Sequence, residues 1–256
     1  MKYLLHLAYN GAQYRGWQWQ GNVVSVQQTI EDALERYLKE KINIIGCGRT
    51  DAGVHATNYV AHLVSSEVLP EQFLFVINKM LPDDIAIMSI ELVGDSSHAQ
   101  HHAKKRRYDY YFHTQVDPML AGVSTYYEGA KLNIDLMNEA MTMILGVNNF
   151  IAFCKQPHLY NHTNCEIFEA KVYADQHRVQ IRIVGNRFLR SMVRLLVGNL
   201  VLVGSGEMPL AEWKALFDMD HVPDHFHLAY AQGLHLSGVW YPKRVFAQES
   251  FLSLVR

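Results

Sequence analysis

Cysteine is scarce in this 256-residue chain: Cys47, Cys154 and Cys165 are the only three, and no Cys-x-x-Cys pair occurs. Three scattered thiols exclude a disulfide framework and leave no basis for a zinc knuckle. Long apolar runs are missing as well. Leu195–Val197 and Leu200–Val203 are separated by Gly198 and Asn199, with Arg190 and Arg194 just upstream, which excludes a membrane-spanning helix. Met1-Lys2-Tyr3 leads straight into strand-like sequence, without the apolar stretch and cleavage site of a signal peptide, so the cytoplasm is the expected compartment. A surplus of basic charge is also absent, the formal net charge being −2 at pH 7. Nucleic-acid partners usually call for a basic footprint, but its distribution matters more than the total. Lys104-Lys105-Arg106-Arg107 form one cluster and Arg187, Arg190 and Arg194 another, so overall charge decides nothing.

What is present is ample apolar material, 49% of the residues, enough for a buried core in two compact domains or one large one. Fourteen histidines invite a metal reading. His98, His101 and His102 nevertheless sit in a polar stretch with no carboxylate at helical spacing, so a surface histidine cluster is expected and no metal site.

Periodicity divides the chain into two halves. Tyr3, Leu5, Leu7 and Tyr9 alternate up to Asn10-Gly11, which predicts a strand and a turn. Ser25 with Gln28 resembles a capping box, and Val26, Ile30, Ala33, Leu34, Tyr37 and Leu38 recur at helical spacing through Lys39. Strands are predicted over 42–46, 57–64 and 85–93, and a helix opening at Pro70 and running to about Met80. The second half repeats this β-α-β-β-α-β order: strand 107–114, helix 134–145 with Asn133 as cap and Gly146 as stop, strands 166–174 and 179–184, helix 188–203, a short helix 210–217 and strand 234–241. Gly94 to Ala103 holds almost nothing apolar and reads as the linker between a unit over 1–96 and a unit over 104–256. The duplicated order predicts an α+β fold of two ferredoxin-like units with mostly antiparallel sheets.

The stretch Gly46-Cys47-Gly48-Arg49-Thr50-Asp51-Ala52-Gly53-Val54-His55-Ala56 is the most informative. Three glycines around charged residues, directly after an apolar strand, describe a tight loop with close backbone approaches. A phosphate-binding P-loop is excluded because Gly53 is followed by Val54-His55, and a dinucleotide fingerprint is excluded by the glycine spacing. Spacing alone also permits a plain Asx-turn at Asp51.

Gly48-Arg49-Thr50-Asp51-Ala52-Gly53-Val54-His55 resembles the signature of the tRNA pseudouridine synthase A family. The resemblance continues through Ala8-Tyr9-Asn10-Gly11, Tyr14, Gly16-Trp17-Gln18 and Ser25-Val26-Gln27, then Arg106-Arg107-Tyr108 with Tyr110. Later it takes in Phe188-Leu189, Met192-Val193-Arg194, Val197-Gly198, Gly233-Leu234-His235-Leu236 and Tyr241-Pro242, so it spans nearly the whole chain in order. It implies conversion of uridine to pseudouridine on the 3′ side of the tRNA anticodon stem and loop (tRNA positions 38, 39 and 40). It also implies a homodimer, no cofactor, and two units meeting at a central RNA-binding cleft.

By the same resemblance Asp51 is the catalytic carboxylate, acting either as nucleophile at C1′ or as base at C2′. Arg194 falls where the family places an arginine paired with that aspartate; an opposite charge within about 4–6 Å would keep it ionised. The alternative is a solvated arginine sharing one helix face with Arg187, Arg190 and Ser191. Tyr108 matches the family's active-site tyrosine, the alternative being an ordinary strand tyrosine. Arg49 is implied in extruding the target nucleotide, which costs a few kcal/mol, or else makes a loop hydrogen bond. Lys104, Lys105, Arg106, Arg107, Arg187 and Arg190 are candidate phosphate contacts, with solvated surface as the rival reading. Trp17 and Trp19 offer stacking platforms or core packing.

Departures from the family pattern are few. Gln100 and His162 stand where relatives carry arginine, and Ala229-Tyr230 replaces a common Ala-Pro. Loss of two arginines removes phosphate contacts and raises a paralogue with another RNA range, or a non-catalytic RNA-binding relative, as alternatives. A metal-dependent hydrolase built on the histidines lacks a ligand motif.

Overall fold

In a computed structural model, which describes residues 1–129 and 131–242, the chain forms two compact units. The first takes in Met1–Arg106 and, from His235, the described residues that follow, the second Arg107–Leu234. The architecture is α+β with mostly antiparallel strand pairing.

In the first unit β1 (Lys2–Tyr9) buries Tyr3, Leu5, Leu7 and Tyr9, as the alternation requires. Helix α1 (Val26–Leu38) opens where the Ser25 hydroxyl accepts the Gln28 N–H at 3.2 Å and closes with Lys39 in the left-handed region (φ 56°). Val26, Ile30, Ala33 and Leu34 form its buried stripe. Strand β2 (Ile44–Gly46) starts two residues later than expected, at the point where the Glu31 carboxylate takes the Ile44 N–H (2.8 Å). Strand β3 (His55–Val64), helix α2 (Phe73–Met80) and strand β4 (Ile85–Val93) follow. Helix α2 begins at Phe73 and not at Pro70, because Phe73 N–H first closes a turn on the Pro70 carbonyl (2.9 Å). Strand β1 lies antiparallel between β3 and β4, and β2 pairs antiparallel with β3.

The second unit holds β5 (Lys105–His113) from Arg107 on, β6 (Thr125–Tyr126), α3 (Ile134–Thr142), β7 (Gly146–Asn149), β8 (Asn164–Ala174), β9 (Arg178–Gly185), α4 (Met192–Ser205) and α5 (Leu210–Ala215). Strands β7, β8 and β9 are antiparallel neighbours, and β6 runs parallel to β5 through Phe112↔Thr125. Helix α4 was expected from residue 188. It starts at Met192, because Ser191 adopts φ 60° and breaks the helical path. Arg187, Arg190 and Ser191 therefore do not share a helix face with Arg194. Strands β6 and β7 had no periodic signal and exist through pairing alone.

The last strand, β10 (Leu234–Trp240), follows the second unit in sequence, yet from His235 it belongs to the first. It pairs parallel with β3 through His235↔His55 and Leu236↔Ala56. The 1–96 and 104–256 division read from sequence differs here, and residues 243–256 lie outside the described residues.

Each unit closes an open strand edge with an asparagine. Asn78 on α2 donates to Ile87 O and accepts Ile87 N–H on β4, both at 2.8 Å. Asn138 on α3 does the same to Val172 on β8, donating to its carbonyl at 3.1 Å and accepting its N–H at 2.9 Å. The side-chain amide stands in for the next strand and blunts the edge. Asn138→Ala is expected to leave both polar groups of buried Val172 unmet, at about 1–3 kcal/mol. A lower urea midpoint at unchanged m-value checks this.

Candidate active site

The Asp51 turn lies between β2 and β3 and has almost no ladder of its own, so its backbone groups find partners elsewhere. Cys47 N–H donates to Val60 O (2.8 Å), Trp17 N–H to Thr50 O (3.2 Å), Gly53 N–H to Tyr14 O (3.2 Å) and Val54 N–H to Asp51 O (3.2 Å). The Tyr9 and Thr50 hydroxyls bond at 2.8 Å, and the Tyr59 hydroxyl donates to Gly48 O. Two glycines let the chain come this close. A Cβ on Gly11 would meet Val54 O at 1.9 Å, and Gly16, at φ +91°, would put one 2.4 Å from Thr50 O. Beneath the turn Trp17 stacks on Tyr59 (4.1 Å between centroids), with Tyr9 5.5 Å from Tyr59. Trp17 is buried and packs as core, whereas Trp19 is exposed. His55 accepts Gly11 N–H at Nδ1 (3.1 Å) and stacks on His235 (4.6 Å).

On this frame Asp51 is partly exposed. Arg49 is exposed, and its Nε donates to the Gln18 side-chain oxygen at 3.2 Å. Arg106 turns its guanidinium onto backbone carbonyls, among them those of Cys47, Gln100 and Ala103. Lys104 and Lys105 are exposed, and the Lys104 N–H is tied to Trp240 O (2.8 Å).

The remaining candidates belong to the second unit. Tyr108 is buried on β5 with its ring edge-to-face against Phe188 at 5.0 Å. Arg194, in the first turn of α4, donates from Nε to Ala229 O (2.8 Å), while Ala229 N–H returns to Arg194 O (3.1 Å). Its charge acts on Tyr110 and Tyr127, opposing the upward push that burial gives both phenols. Arg187 lies over the Tyr160 ring (5.4 Å) with Nη1 3.5 Å from His162 Nε2. Arg190 N–H donates to the Tyr160 hydroxyl (2.9 Å) and its side chain to Gln156. Neither Arg187 nor Arg190 has a carboxylate within ion-pair distance among the described residues.

One residue beside Tyr108 carries more structure than its sequence position suggests. Asp109, 1% exposed, accepts from Arg107 (3.3 Å), Arg182 (2.8 Å) and the Gln180 amide (2.8 Å). The Arg-Tyr-Asp run gives no hint of it, because Gln180 and Arg182 arrive from β9 some seventy residues on. Arg107 is thus engaged by a buried acid as well as being a candidate phosphate contact.

Around the linker, imidazole nitrogens serve backbone turns. His62 Nδ1 accepts Ala99 N–H (3.1 Å), His98 Nδ1 accepts Gln100 N–H (3.2 Å), and His102 Nδ1 accepts His98 N–H (3.2 Å). Among the described residues no group of three or more His, Cys, Asp or Glu is placed to hold a metal, and no helix is long and apolar enough to cross a membrane.

A family model described as tRNA pseudouridine synthase matches residues 140–242. Curated relatives extend the match over almost the entire chain. The tRNA pseudouridine synthase A of Porphyromonas gingivalis is 36% identical over 96% of this chain and 99% of its own. Its counterpart in Clostridium acetobutylicum is 35% identical over 93% and 98%, and that of Nostoc sp. 36% over 97% and 94%. The class is that of the pseudouridine synthases. Within it, the chain belongs to the tRNA pseudouridine synthase A family.

Two predictions follow from these contacts. Asp109→Asn removes the carboxylate shared by Arg107 and Arg182 and is expected to cost about 3 kcal/mol in chemical denaturation. Burial, followed by the charges of His98 and Lys2, lowers the His62 pKa from 6.5 to about 4. The unfolded chain then binds the proton first, so this stability is complete above about pH 6.5 and drains away as pH falls toward 4. Urea midpoints measured between pH 7 and pH 4 should fall, and His62→Gln should flatten the fall.

Proposed function

We propose that this protein isomerises uridine to pseudouridine in tRNA, on the 3′ side of the anticodon stem and loop, with Asp51 as the reacting carboxylate. The reaction breaks the C1′–N1 bond, turns the uracil while it stays bound, and joins C1′ to C5. The C5 proton leaves to solvent and N1 gains one, so atoms balance without redox or group transfer. Scission leaves positive character at the sugar, which one carboxylate meets as nucleophile at C1′ or as base at C2′. The observation that carries the reading is the Gly48–His55 turn. It presents a partly exposed Asp51 from a backbone held on both sides, in a chain related over nearly its full length to enzymes named for this activity.

The same reading assigns Tyr108 to the target base, Arg194 to the charge of the reacting carboxylate and Arg49 to nucleotide extrusion. Lys104, Lys105, Arg107, Arg187 and Arg190 serve as phosphate contacts; that Arg187 and Arg190 have no carboxylate within ion-pair distance among the described residues supports their share. It includes a cytoplasmic homodimer and two ferredoxin-like units. The β4-β1-β3 order with β2 on β3, all antiparallel, supports the first of those units. A tRNA range different from that of relatives is the second reading, favoured by Gln100 and His162 at positions where the family has arginine.

Tritium release from C5-labelled uridine in unmodified tRNA tests the activity, and no release from a panel of tRNAs would reject it. Asp51→Asn is expected to abolish release with the melting temperature unchanged within a few degrees.

A further inference from the structure

The run Lys104-Lys105-Arg106-Arg107 reads in sequence as four equivalent cations, yet the structure treats the third differently. Arg106 directs both Nε (3.2 Å) and Nη2 (2.8 Å) at the carbonyl of Cys47. Nη2 also reaches Gln100 O (3.1 Å), and Nη1 reaches Ala103 O (3.4 Å). Cys47 is fully buried, and its carbonyl opens the turn that carries Asp51 four residues on. A buried carbonyl needs a donor; the β2–β3 register ends one residue earlier, at Gly46↔Ala61, and the guanidinium takes up this oxygen just beyond it. Gln100 and Ala103 lie on a segment that is itself pinned. Ala99 N–H is held by His62 (3.1 Å), Ala99 O by the Tyr241 hydroxyl (2.6 Å) and Ser97 O by the Lys2 ammonium (3.0 Å).

We propose that Arg106 is a positioning residue for the reacting carboxylate and not a phosphate contact: its guanidinium fastens the entrance of the Asp51 turn to the 97–103 segment. The inference rests on the reading of Asp51 given above. Geometry explains the choice of side chain. A planar fork can serve one carbonyl twice and two others at its flanks, whereas an ammonium is a single point on a flexible stem. The Tyr59–Gly48 and Tyr9–Thr50 contacts hold the turn as well, so Arg106 and Tyr59 take the carbonyls of two consecutive residues, Cys47 and Gly48. A displacement of about 1 Å in a reacting group costs on the order of 10²-fold in rate.

Arg106→Lys and Arg106→Ala, with single-turnover kinetics and tRNA binding measured across a salt series, separate the two roles. Positioning predicts that kcat falls about 10²-fold in both variants. Lysine would not rescue, tRNA affinity would stay within about twofold, and the salt slope would not change. A phosphate contact predicts the reverse: weaker binding, a salt slope reduced by about one unit, and rescue by lysine. That result overturns the proposal, as does an unaltered kcat. Should both variants be too unstable to assay, Tyr59→Phe applies the same test. It removes a buried hydroxyl that cannot touch RNA, so it should lower kcat with affinity unchanged and speed amide exchange at residues 48–53; wild-type kcat there overturns the gripped-turn account. Asp51→Asn run in parallel reports on the underlying reading alone. Turnover by that variant would remove the reading, whereas an inert Asp51→Asn beside a fully active Arg106→Lys would remove only the role given to Arg106.

Discussion

The turn from Cys47 to Val54 must hold an acid at a defined place while lacking a hydrogen-bond ladder of its own, and most of the first unit's special features answer that constraint. An unmet buried N–H or C=O costs about 1–3 kcal/mol, so a turn with several of them would fray unless each were taken up. The partners come from β1, from the 11–17 segment, from β3 and from Arg106. Two of these approaches require glycine, at positions 11 and 16, because any Cβ would occupy the space of a carbonyl oxygen on the turn. The aromatic cluster of Tyr9, Trp17 and Tyr59 then serves two purposes at once: its rings fill the core and two of its hydroxyls reach back to the turn.

The second unit shows the same economy with charge. A carboxylate as deeply buried as Asp109 is tolerable only with strong partners, and it has two guanidiniums and an amide. This network ties β5 to β9 directly beside Tyr108, so the strand position of that tyrosine depends on electrostatics as well as on the apolar contact with Phe188. Arg194 is treated comparably, its side chain and carbonyl both bonded to Ala229, which restricts where its remaining nitrogens point.

Histidines that suggested a metal in composition prove to have local work. His62, His98 and His102 each accept a backbone N–H at Nδ1, so one ring nitrogen of each holds a turn of its own chain. The 94–103 segment has little apolar content to hold it down, and imidazole acceptors, Lys2 and Tyr241 supply what a hydrophobic stripe supplies elsewhere.

Helix α1 with its Ser25 cap, the β1 alternation, the α+β class and the Gly48–His55 motif were legible in the residues alone. Each rests on near-neighbour periodicity or on a turn whose glycines are contiguous, and such local rules survive folding. Helix α4 was placed too early because an apolar run with arginines looks helical until Ser191 takes a left-handed backbone, a choice set by the surroundings. Strands β6 and β7 had no pattern to read, since a strand of two or four residues exists only through its neighbour's ladder. The return of β10 to the first unit, the clamp on Asp109 and the inward turn of Arg106 are contacts between residues far apart in sequence. Composition and spacing determined which residue types were available at the site; which of four adjacent cations faces solvent and which holds a carbonyl was decided by tertiary structure, because only there does an unmet backbone oxygen come within reach of a guanidinium.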